Sequence, residues 1–170
     1  MSPAKAKTAP TYAELAERMQ AIQQRLLKKK RTVASAESCT GGLLASVLTE
    51  HGGSSDFYRG GAAVYSNDAK TILADVAPQL VHSHGAVSSV VAAALARGVR
   101  EQLGADIGLG ITGIAGPGGA TPGKPVGLVY VAVDSEAHST ARKCEWTFDR
   151  AGNRLASVGA ALDLLEAAIE

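Results

Sequence analysis

From Thr32 onward the chain alternates short strand-like runs with helix-like runs, and this alternation limits what it can fold into. The strand-like runs lie near 32–36, 61–65, 107–112, 127–133 and 141–148, and the helix-like runs at 41–51, 67–74, 88–103 and 150–169. Such alternation is typical of a sheet covered by helices. The last three strands follow one another closely, so part of the sheet is expected to be antiparallel. The sequence predicts one α/β domain with three α/β/α layers and a mixed central sheet.

The first part of the chain contains a further amphipathic helix. Apolar residues recur there at alternating spacings of three and four, running to about Lys30: Tyr12, Leu15, Met19, Ile22 and Leu26. Residues 1–10 mix Lys, Ala, Pro and Ser without periodicity, so we expect a disordered tail there and a domain over 11–170. A chain of 170 residues, 46% of them hydrophobic, has enough apolar surface for a single core.

Composition and charge exclude several classes of function. A formal net charge of +1 gives little attraction for a polyanion, so nucleic acid is not an expected partner. The sequence shows neither the apolar core of a signal peptide nor an apolar run of 18 residues, and Cys39 and Cys144 are typical of reduced thiols. We therefore expect a cytoplasmic location and no membrane partner. No C-x-x-C or H-E-x-x-H pattern occurs, so no metal and no cofactor are expected.

The segment Ala36-Glu37-Ser38-Cys39-Thr40-Gly41-Gly42 follows a predicted strand and opens a predicted helix. The two glycines allow a tight turn, and the helix start offers N–H groups to an anion or a nucleophile. Ser38 would lie much as a serine does on a strand-to-helix nucleophile elbow, although the G-x-S-x-G pattern is absent. Two alternatives stay open: Ser38 or Thr40 caps the helix, or Cys39 is the nucleophile.

The segment Val64-Tyr65-Ser66-Asn67-Asp68-Ala69-Lys70 is a second strand end followed by a helix start. With Ser66 or Asn67 as N-cap, Lys70 lies in the first or second helical turn, where the helix dipole disfavours a cation. Burial and this position would lower the pKa of Lys70, and a neutral amine can act as a base. The alternative is a solvent-exposed lysine of ordinary pKa.

Two further segments can bind an anion. The loop Gly110–Gly119 can present successive backbone N–H groups to an oxyanion or a phosphate, although it is neither a P-loop nor a dinucleotide fingerprint. Arg150, near the start of the last helix, is electrostatically out of place unless an anion shares the site. An ion pair with Asp149 or another surface carboxylate is the alternative reading.

Six motifs in this order, AESCTGG, VYSNDAK, HGAVS, TGIAGPGG, KPVG and FDR, together resemble the CinA C-terminal domain family, the PncC-type nicotinamide mononucleotide amidohydrolases, over about residues 12–168. The resemblance implies deamidation of nicotinamide mononucleotide to nicotinate mononucleotide and ammonia, in pyridine nucleotide recycling. It also implies that Ser38 is the nucleophile, Lys70 its general base and Tyr65 a catalytic helper. The resemblance places the TGIAGP loop, with Thr112, Gly113, Ile114, Ala115 and Gly116, at the same substrate site. We also expect Thr40, Gly41 and Gly42, in the turn after Ser38, to bind the substrate.

Acyl-transfer chemistry then gives an expected mechanism. Neutral Lys70 takes the Ser38 proton, and backbone N–H groups of the Gly41–Gly42 turn or the Thr112–Gly113 loop hold the oxyanion. Arg150 is the expected partner of the substrate phosphate, and the Glu37 side chain is expected on the opposite face of the strand. We expect a homo-oligomer, because most soluble assemblies are symmetric homomers. The competing hypothesis is a non-catalytic nucleotide-binding regulatory domain linked to competence or the DNA damage response.

Overall fold

Five strands form one mixed sheet in the order β2-β1-β3-β4-β5 in the computed structural model, which describes residues 8–169. The strands are β1 (Val33–Glu37), β2 (Tyr58–Ala63), β3 (Ile107–Gly113), β4 (Leu128–Ser135) and β5 (Ser139–Glu145). The helices are α1 (Tyr12–Lys29), α2 (Leu43–Leu48), α3 (Asn67–Ala74), α4 (Pro78–His84), α5 (Ser89–Leu103) and α6 (Arg150–Ala168), with a short 3-10 turn at Ser54–Asp56. The predicted α/β fold class with a mixed sheet is confirmed.

Three adjacent strands, β2, β1 and β3, share one direction. β1 pairs in parallel with both β2 and β3, whereas β4 and β5 add antiparallel pairs on the β3 side. The carboxyl ends of β1, β2 and β3 therefore meet at one edge of the sheet. The helix after β1 and the helices after β2 pack on opposite faces, so a crevice opens beside the end of β1. The functional site is expected at this edge.

Helices cover both faces of the sheet. α1, α2 and α6 pack with Val33 and the apolar side chains of β3 and β4 in one core. On the other face α3, α4 and α5 pack with Ala34 and Ala36. Glycine brings α5 close to β3, since a Cβ at Gly108 would lie 1.9 Å from the carbonyl oxygen of Ala96. The small residues on this face leave little room between the sheet and α5.

Side-chain caps fix where the longer helices begin. Thr11 and Glu14 form a reciprocal capping box at the start of α1, and Asp149 caps α6. At α3 the hydroxyl of Ser66 accepts the amide of Ala69 at 3.1 Å, so of the two expected caps it is Ser66. These caps set the positions of Lys70 and Arg150 relative to the sheet edge.

Several predicted boundaries were displaced. α2 begins only at Leu43, because Gly41 and Gly42 have φ values of 58° and 103°, outside the helical region. β2 starts at Tyr58 and not near 61, because Gly60 and Gly61 interrupt its apolar pattern. β5 covers 139–145 and not 141–148. α4 was not predicted at all, since none of its residues is buried and it has no apolar stripe.

Of the expected tail at 1–10, residues 1–7 lie outside the described residues, and 8–10 precede α1 without regular secondary structure. Between residues 8 and 169, no helix is long and apolar enough to cross a membrane.

Candidate active site

The amine of Lys70 lies against the hydroxyl of Ser38, 32 positions away in sequence, with Nζ donating to Oγ at 3.2 Å. The same amine donates to the carbonyl oxygen of Val64 at 2.9 Å and approaches that of Ser66 at 3.5 Å. Both partners are buried, with 2% of Lys70 and 8% of Ser38 exposed. The structure thus brings the AESCTGG and VYSNDAK segments together at one site.

The sheet edge explains why these two residues meet. Ser38 follows β1 directly and continues its alternation, so its side chain points to the same face as Ala34 and Ala36. Lys70 lies in the first turn of α3, which starts where β2 ends. Because β1 and β2 are parallel neighbours, their carboxyl ends bring the two segments together on that face.

Burial controls the charge of Lys70. Desolvation lowers its pKa below the ordinary value of 10.5. Within the described chain, the hydrogen-bond partners of its amine are two carbonyl oxygens and one hydroxyl, and none is a carboxylate. A buried amine without a counterion favours the neutral form, which has a lone pair to accept a proton.

Unlike the Lys70 amine, the thiol of Cys39 is held by burial in its unreactive form. Only 6% of Cys39 is exposed, and its side chain belongs to the core between the sheet and α1, α2 and α6. Burial raises the pKa of the thiol to about 12, so it stays protonated at neutral pH. Since the thiolate is the reactive form of cysteine, this environment favours Ser38 over Cys39 as nucleophile.

The carboxylate of Glu37 lies at the amino end of α2. Its Oε2 accepts the amides of Gly42 at 3.2 Å and Leu44 at 3.0 Å, and its Oε1 accepts that of Ala45 at 2.9 Å. As expected, the side chain points to the face opposite Ser38. The Glu37 carboxylate therefore accepts the free amides at the start of α2, which we had expected to be available to a substrate anion.

Both amides of the Gly41–Gly42 turn, one of the two expected sources of oxyanion donors, are already paired within the protein. The amide of Gly42 donates to Glu37, and that of Gly41 donates to the Ser38 carbonyl at 3.1 Å. Of the two expected sources, the Thr112–Gly113 loop remains. Ile114 donates to Leu128 of β4, and in an antiparallel ladder only alternate amides face the partner strand. The amide of Gly113 therefore points away from β4, to the side of β1, the strand that Ser38 follows.

A cavity of about 280 Å³ opens above the Ser38–Lys70 pair. Its lining includes most of the predicted site residues: Ser38, Tyr65, Lys70, Thr112, Gly113, Ile114, Ala115, Gly116 and Arg150. Thr40, Gly41 and Gly42 are not among the lining residues, and Thr40 is fully buried. These three residues form the turn that follows Ser38 and do not line the cavity.

Tyr65 and Arg150 form one rim of the cavity. Tyr65 is 61% exposed, and its hydroxyl accepts a hydrogen bond from Nη2 of Arg150 at 3.1 Å. The other guanidinium nitrogen, Nη1, donates to the Gly116 carbonyl at 2.6 Å. Among the described residues, the Lys70 amine makes no hydrogen bond to Tyr65. The pair therefore places a cationic group and a phenol about the entrance, away from the buried amine.

Some residues that line the cavity were not predicted from the sequence as site residues. Asn67, Ala86 and Val87 also line the cavity. The hydroxyl of Thr112 donates to the Ala86 carbonyl at 2.8 Å and so fixes the Ala86 segment to β3. Ala86 and Val87 lie in the HGAVS segment, which carries no chemical signature apart from the family resemblance. Over 8–169 the structure has no group of three or more His, Cys, Asp or Glu side chains placed to hold a metal ion.

The fold and this site define an α/β protein with a buried serine–lysine pair at the carboxyl ends of its parallel strands. The CinA C-terminal domain profile matches residues 15–169, and the chain belongs to that family. It is 53% identical over 134 residues to a CinA-like protein of Acidobacterium capsulatum, covering 79% of this chain and 32% of that protein. It is 49% identical over 145 residues to a CinA-like protein of Mycobacterium avium, covering 85% and 33%.

Solved structures agree with this assignment. The competence/damage inducible protein CihA from Agrobacterium tumefaciens superposes with a TM-score of 0.90 at 35% identity, covering 97% of this chain and 100% of that one. A competence-damaged protein (CinA) superfamily protein from Escherichia coli gives 0.85 at 33% identity, covering 92% and 89%. The chain spans about a third of the length of the CinA-like relatives, and nearly the whole of these solved chains.

Proposed function

We propose that the chain is a nicotinamide mononucleotide deamidase, which hydrolyses the carboxamide to nicotinate mononucleotide and ammonia through an acyl-enzyme on Ser38. The observation that carries the proposal is the 3.2 Å contact between the buried Lys70 amine and the Ser38 hydroxyl. A serine next to a neutral amine is an activated nucleophile, and amide hydrolysis is the chemistry such pairs perform. The family resemblance supplies the particular amide.

The first step is proton transfer from Ser38 to Lys70. In the neutral amine, two N–H bonds point to the carbonyls of Val64 and Ser66, and the lone pair is left to accept the hydroxyl proton. Oγ then attacks the carboxamide carbon. The protonated amine returns its proton to the departing nitrogen, so ammonia leaves and an ester to Ser38 remains. Water attacks that ester with the same amine as base, which releases the carboxylate and regenerates the hydroxyl.

The negative oxygen of the tetrahedral intermediate needs donors that are already in place. The amide of Gly113 points to the side of β1, the strand that Ser38 follows, and is the donor we assign to it. Removal of one such donor typically costs about 10²- to 10³-fold in rate. Proline at Gly113 would remove the N–H but would also disturb β3, so the assignment is tested through residues that hold the loop.

The phosphate of the nucleotide is assigned to Arg150. Its guanidinium lies at the cavity entrance, where its Nη2 contacts a neutral phenol and its Nη1 a carbonyl. Neither contact neutralises the charge, so the cation is free to pair with an anion. Tyr65, on the same rim, is then a substrate-orienting residue and not a proton relay to Lys70.

The proposal is tested by ammonia release from nicotinamide mononucleotide by the purified chain, with a metal chelator present. Wild type is expected to turn over, and Ser38→Ala is expected to lose at least about 10³-fold in kcat. Nicotinamide riboside, which differs by the phosphate alone, is the matched substrate, and nicotinamide lacks the ribose as well. Turnover by Ser38→Ala equal to wild type, or none by folded wild type, would overturn the proposal.

A second candidate is a nucleotide-binding regulatory domain. It is favoured by the names of the solved relatives, which refer to competence and damage. This candidate predicts binding of nicotinamide mononucleotide without ammonia release, and full cellular function of Ser38→Ala.

A further inference from the structure

One face of the start of α6 makes contacts to both walls of the candidate site. Asn153 donates from Nδ2 to the Ala115 carbonyl at 3.0 Å, and Arg154 donates from Nη2 to the Thr40 carbonyl at 2.8 Å. Arg150, one helical turn earlier, contacts the same loop at Gly116. Ala115 belongs to the glycine loop and Thr40 to the turn of Ser38. A single helix end therefore binds two segments that otherwise belong to different strands.

We propose that Asn153 and Arg154 are positioning residues that set the separation between the Ser38 hydroxyl and the Gly113 amide. The inference rests on the proposed function and extends it to residues outside the cavity lining. Thr40 lies two residues after Ser38, and Ala115 lies two residues after Gly113. Each contact thus holds its segment close to the reacting position, and both contacts come from adjacent residues of one rigid helix.

Arg154 acts on a turn that has few restraints of its own. Gly41 and Gly42 hold positive φ values and have no side chains to anchor the turn. Glu37 fixes the far end, through the amides of residues 42, 44 and 45. The middle of the turn is held at the Thr40 carbonyl, which accepts Arg154 together with the amide of Leu43 at 3.1 Å.

Asn153 acts on the glycine loop through both ends of its amide. Its Oδ1 accepts the backbone amide of Phe148 at 3.1 Å while its Nδ2 donates to Ala115, and only 1% of the residue is exposed. An aspartate has nearly the same shape and can keep the bond to Phe148. In its ionised form it has no donor for Ala115, and instead places a carboxylate oxygen against a carbonyl oxygen. Asn153→Asp therefore reverses one contact without opening a cavity.

A small displacement is enough to matter for catalysis. An error of about 1 Å between reacting groups can reduce a rate by about 10²-fold, whereas binding of a substrate anchored elsewhere is little affected. The signature of a positioning role is therefore a fall in kcat with an unchanged KM. A general loss of stability would instead lower the melting temperature.

The test compares Asn153→Asp, Arg154→Met and Arg154→Lys with wild type. The matched control is Arg142→Met, which removes an arginine that binds Asp163 near the other end of α6 at 2.8 Å. Four quantities are measured: kcat and KM for nicotinamide mononucleotide, the melting temperature, and the rate at which phenylmethylsulfonyl fluoride labels Ser38. The last is read by peptide mass and needs no turnover.

We expect Asn153→Asp and Arg154→Met to lower kcat and the labelling rate by at least about tenfold, with KM within about threefold of wild type. Arg154→Lys retains a donor and should recover part of the loss. The control should match wild type in both rates. If Arg154→Met does not fold, Arg154→Lys and Asn153→Asp decide the matter alone.

Unchanged kcat and labelling in the folded variants would overturn the inference, and so would a rise in KM with kcat retained, because that places these residues in substrate binding. An equal loss in Arg142→Met would also overturn it. If wild type releases no ammonia but Ser38 is labelled, the proposed function fails and the labelling ratios decide the inference. A wild-type Ser38 that resists labelling contradicts both.

Discussion

The amine of Lys70 lies closer to the carbonyl oxygen of Val64, at 2.9 Å, than to the hydroxyl of Ser38, at 3.2 Å. The end of β2 therefore holds the base in place before any substrate arrives. Because Val64 also donates its amide to the Glu37 carbonyl of β1 at 2.7 Å, the position of the amine is tied to the strand that carries the nucleophile. The geometry of the pair is built into the sheet edge and does not depend on a flexible loop.

The pH dependence of activity should report the charge of Lys70. Burial lowers its pKa, and only the neutral amine can accept the Ser38 proton, so kcat/KM should rise with pH and level off above that pKa. Lys70→Arg should lose at least about 10³-fold at every pH, because a guanidinium does not deprotonate. A rate profile measured by ammonia release that is flat with pH would contradict this assignment.

The same burial makes Lys70 costly for stability. In the folded chain its pKa is lowered from 10.5, so the unfolded chain binds more protons between the two values, and stability rises with pH there. The cost is fully present below the folded pKa and vanishes above the unfolded one. Lys70→Met should therefore raise the melting temperature near pH 7, with a gain that shrinks toward about pH 10. Denaturation curves in which the gain grows with pH would refute this reasoning.

Cys39 should be dispensable for turnover. Its thiol has a pKa raised to about 12 by burial, so almost none is thiolate near neutral pH. Cys39→Ala is expected to keep kcat within about threefold, and iodoacetamide should leave the folded protein active. Cys144→Ala is the matched control, since that thiol is also buried but lies in β5. Loss of turnover in Cys39→Ala alone would move the nucleophile to the thiol.

Arg150 should affect only substrates that carry a phosphate. A charge-assisted contact to an anion contributes roughly 1.5–3 kcal/mol, so Arg150→Met should lower kcat/KM for nicotinamide mononucleotide by roughly 10- to 150-fold. The riboside lacks the phosphate, and its kcat/KM should change little. Arg150→Lys should restore part of the difference. Equal losses on both substrates would show that Arg150 acts through Gly116 and the loop and not through the phosphate.

The sequence predicted the layers and the mixed sheet because strand and helix patterns are local. It also marked Lys70 as a misplaced cation, since helix position alone disfavours a charge there. What it could not predict was the contact between Lys70 and Ser38, which depends on β1 and β2 being parallel neighbours. The resemblance to a family, and not the spacing of the residues, assigned these two side chains to one site.

Contacts over long sequence distances account for the rest of what was missed. Arg154 reaches Thr40 across 114 positions, and Asn153 reaches Ala115 across 38, so no local pattern marks either residue. Glu37 is a different case. Strand alternation correctly placed its side chain opposite Ser38, but its role depends on where α2 begins, and the positive φ values of the preceding glycines moved that point.

Glu37 should stabilise the turn of Ser38 by capping α2. It is 1% exposed and accepts three backbone amides, so Glu37→Gln loses the charge and replaces one accepting oxygen by an NH₂ group that faces amide donors. The free energy of unfolding should fall by about 1–3 kcal/mol, with kcat lowered as well because Ser38 is the next residue.

Glu17→Gln, on the exposed face of α1, is the control and should change stability by less than about 0.5 kcal/mol. Urea unfolding of the two variants gives the comparison. Equal stabilities would mean that the helix N-terminus does not need the carboxylate, and would return the amide of Gly42 to the list of possible oxyanion donors.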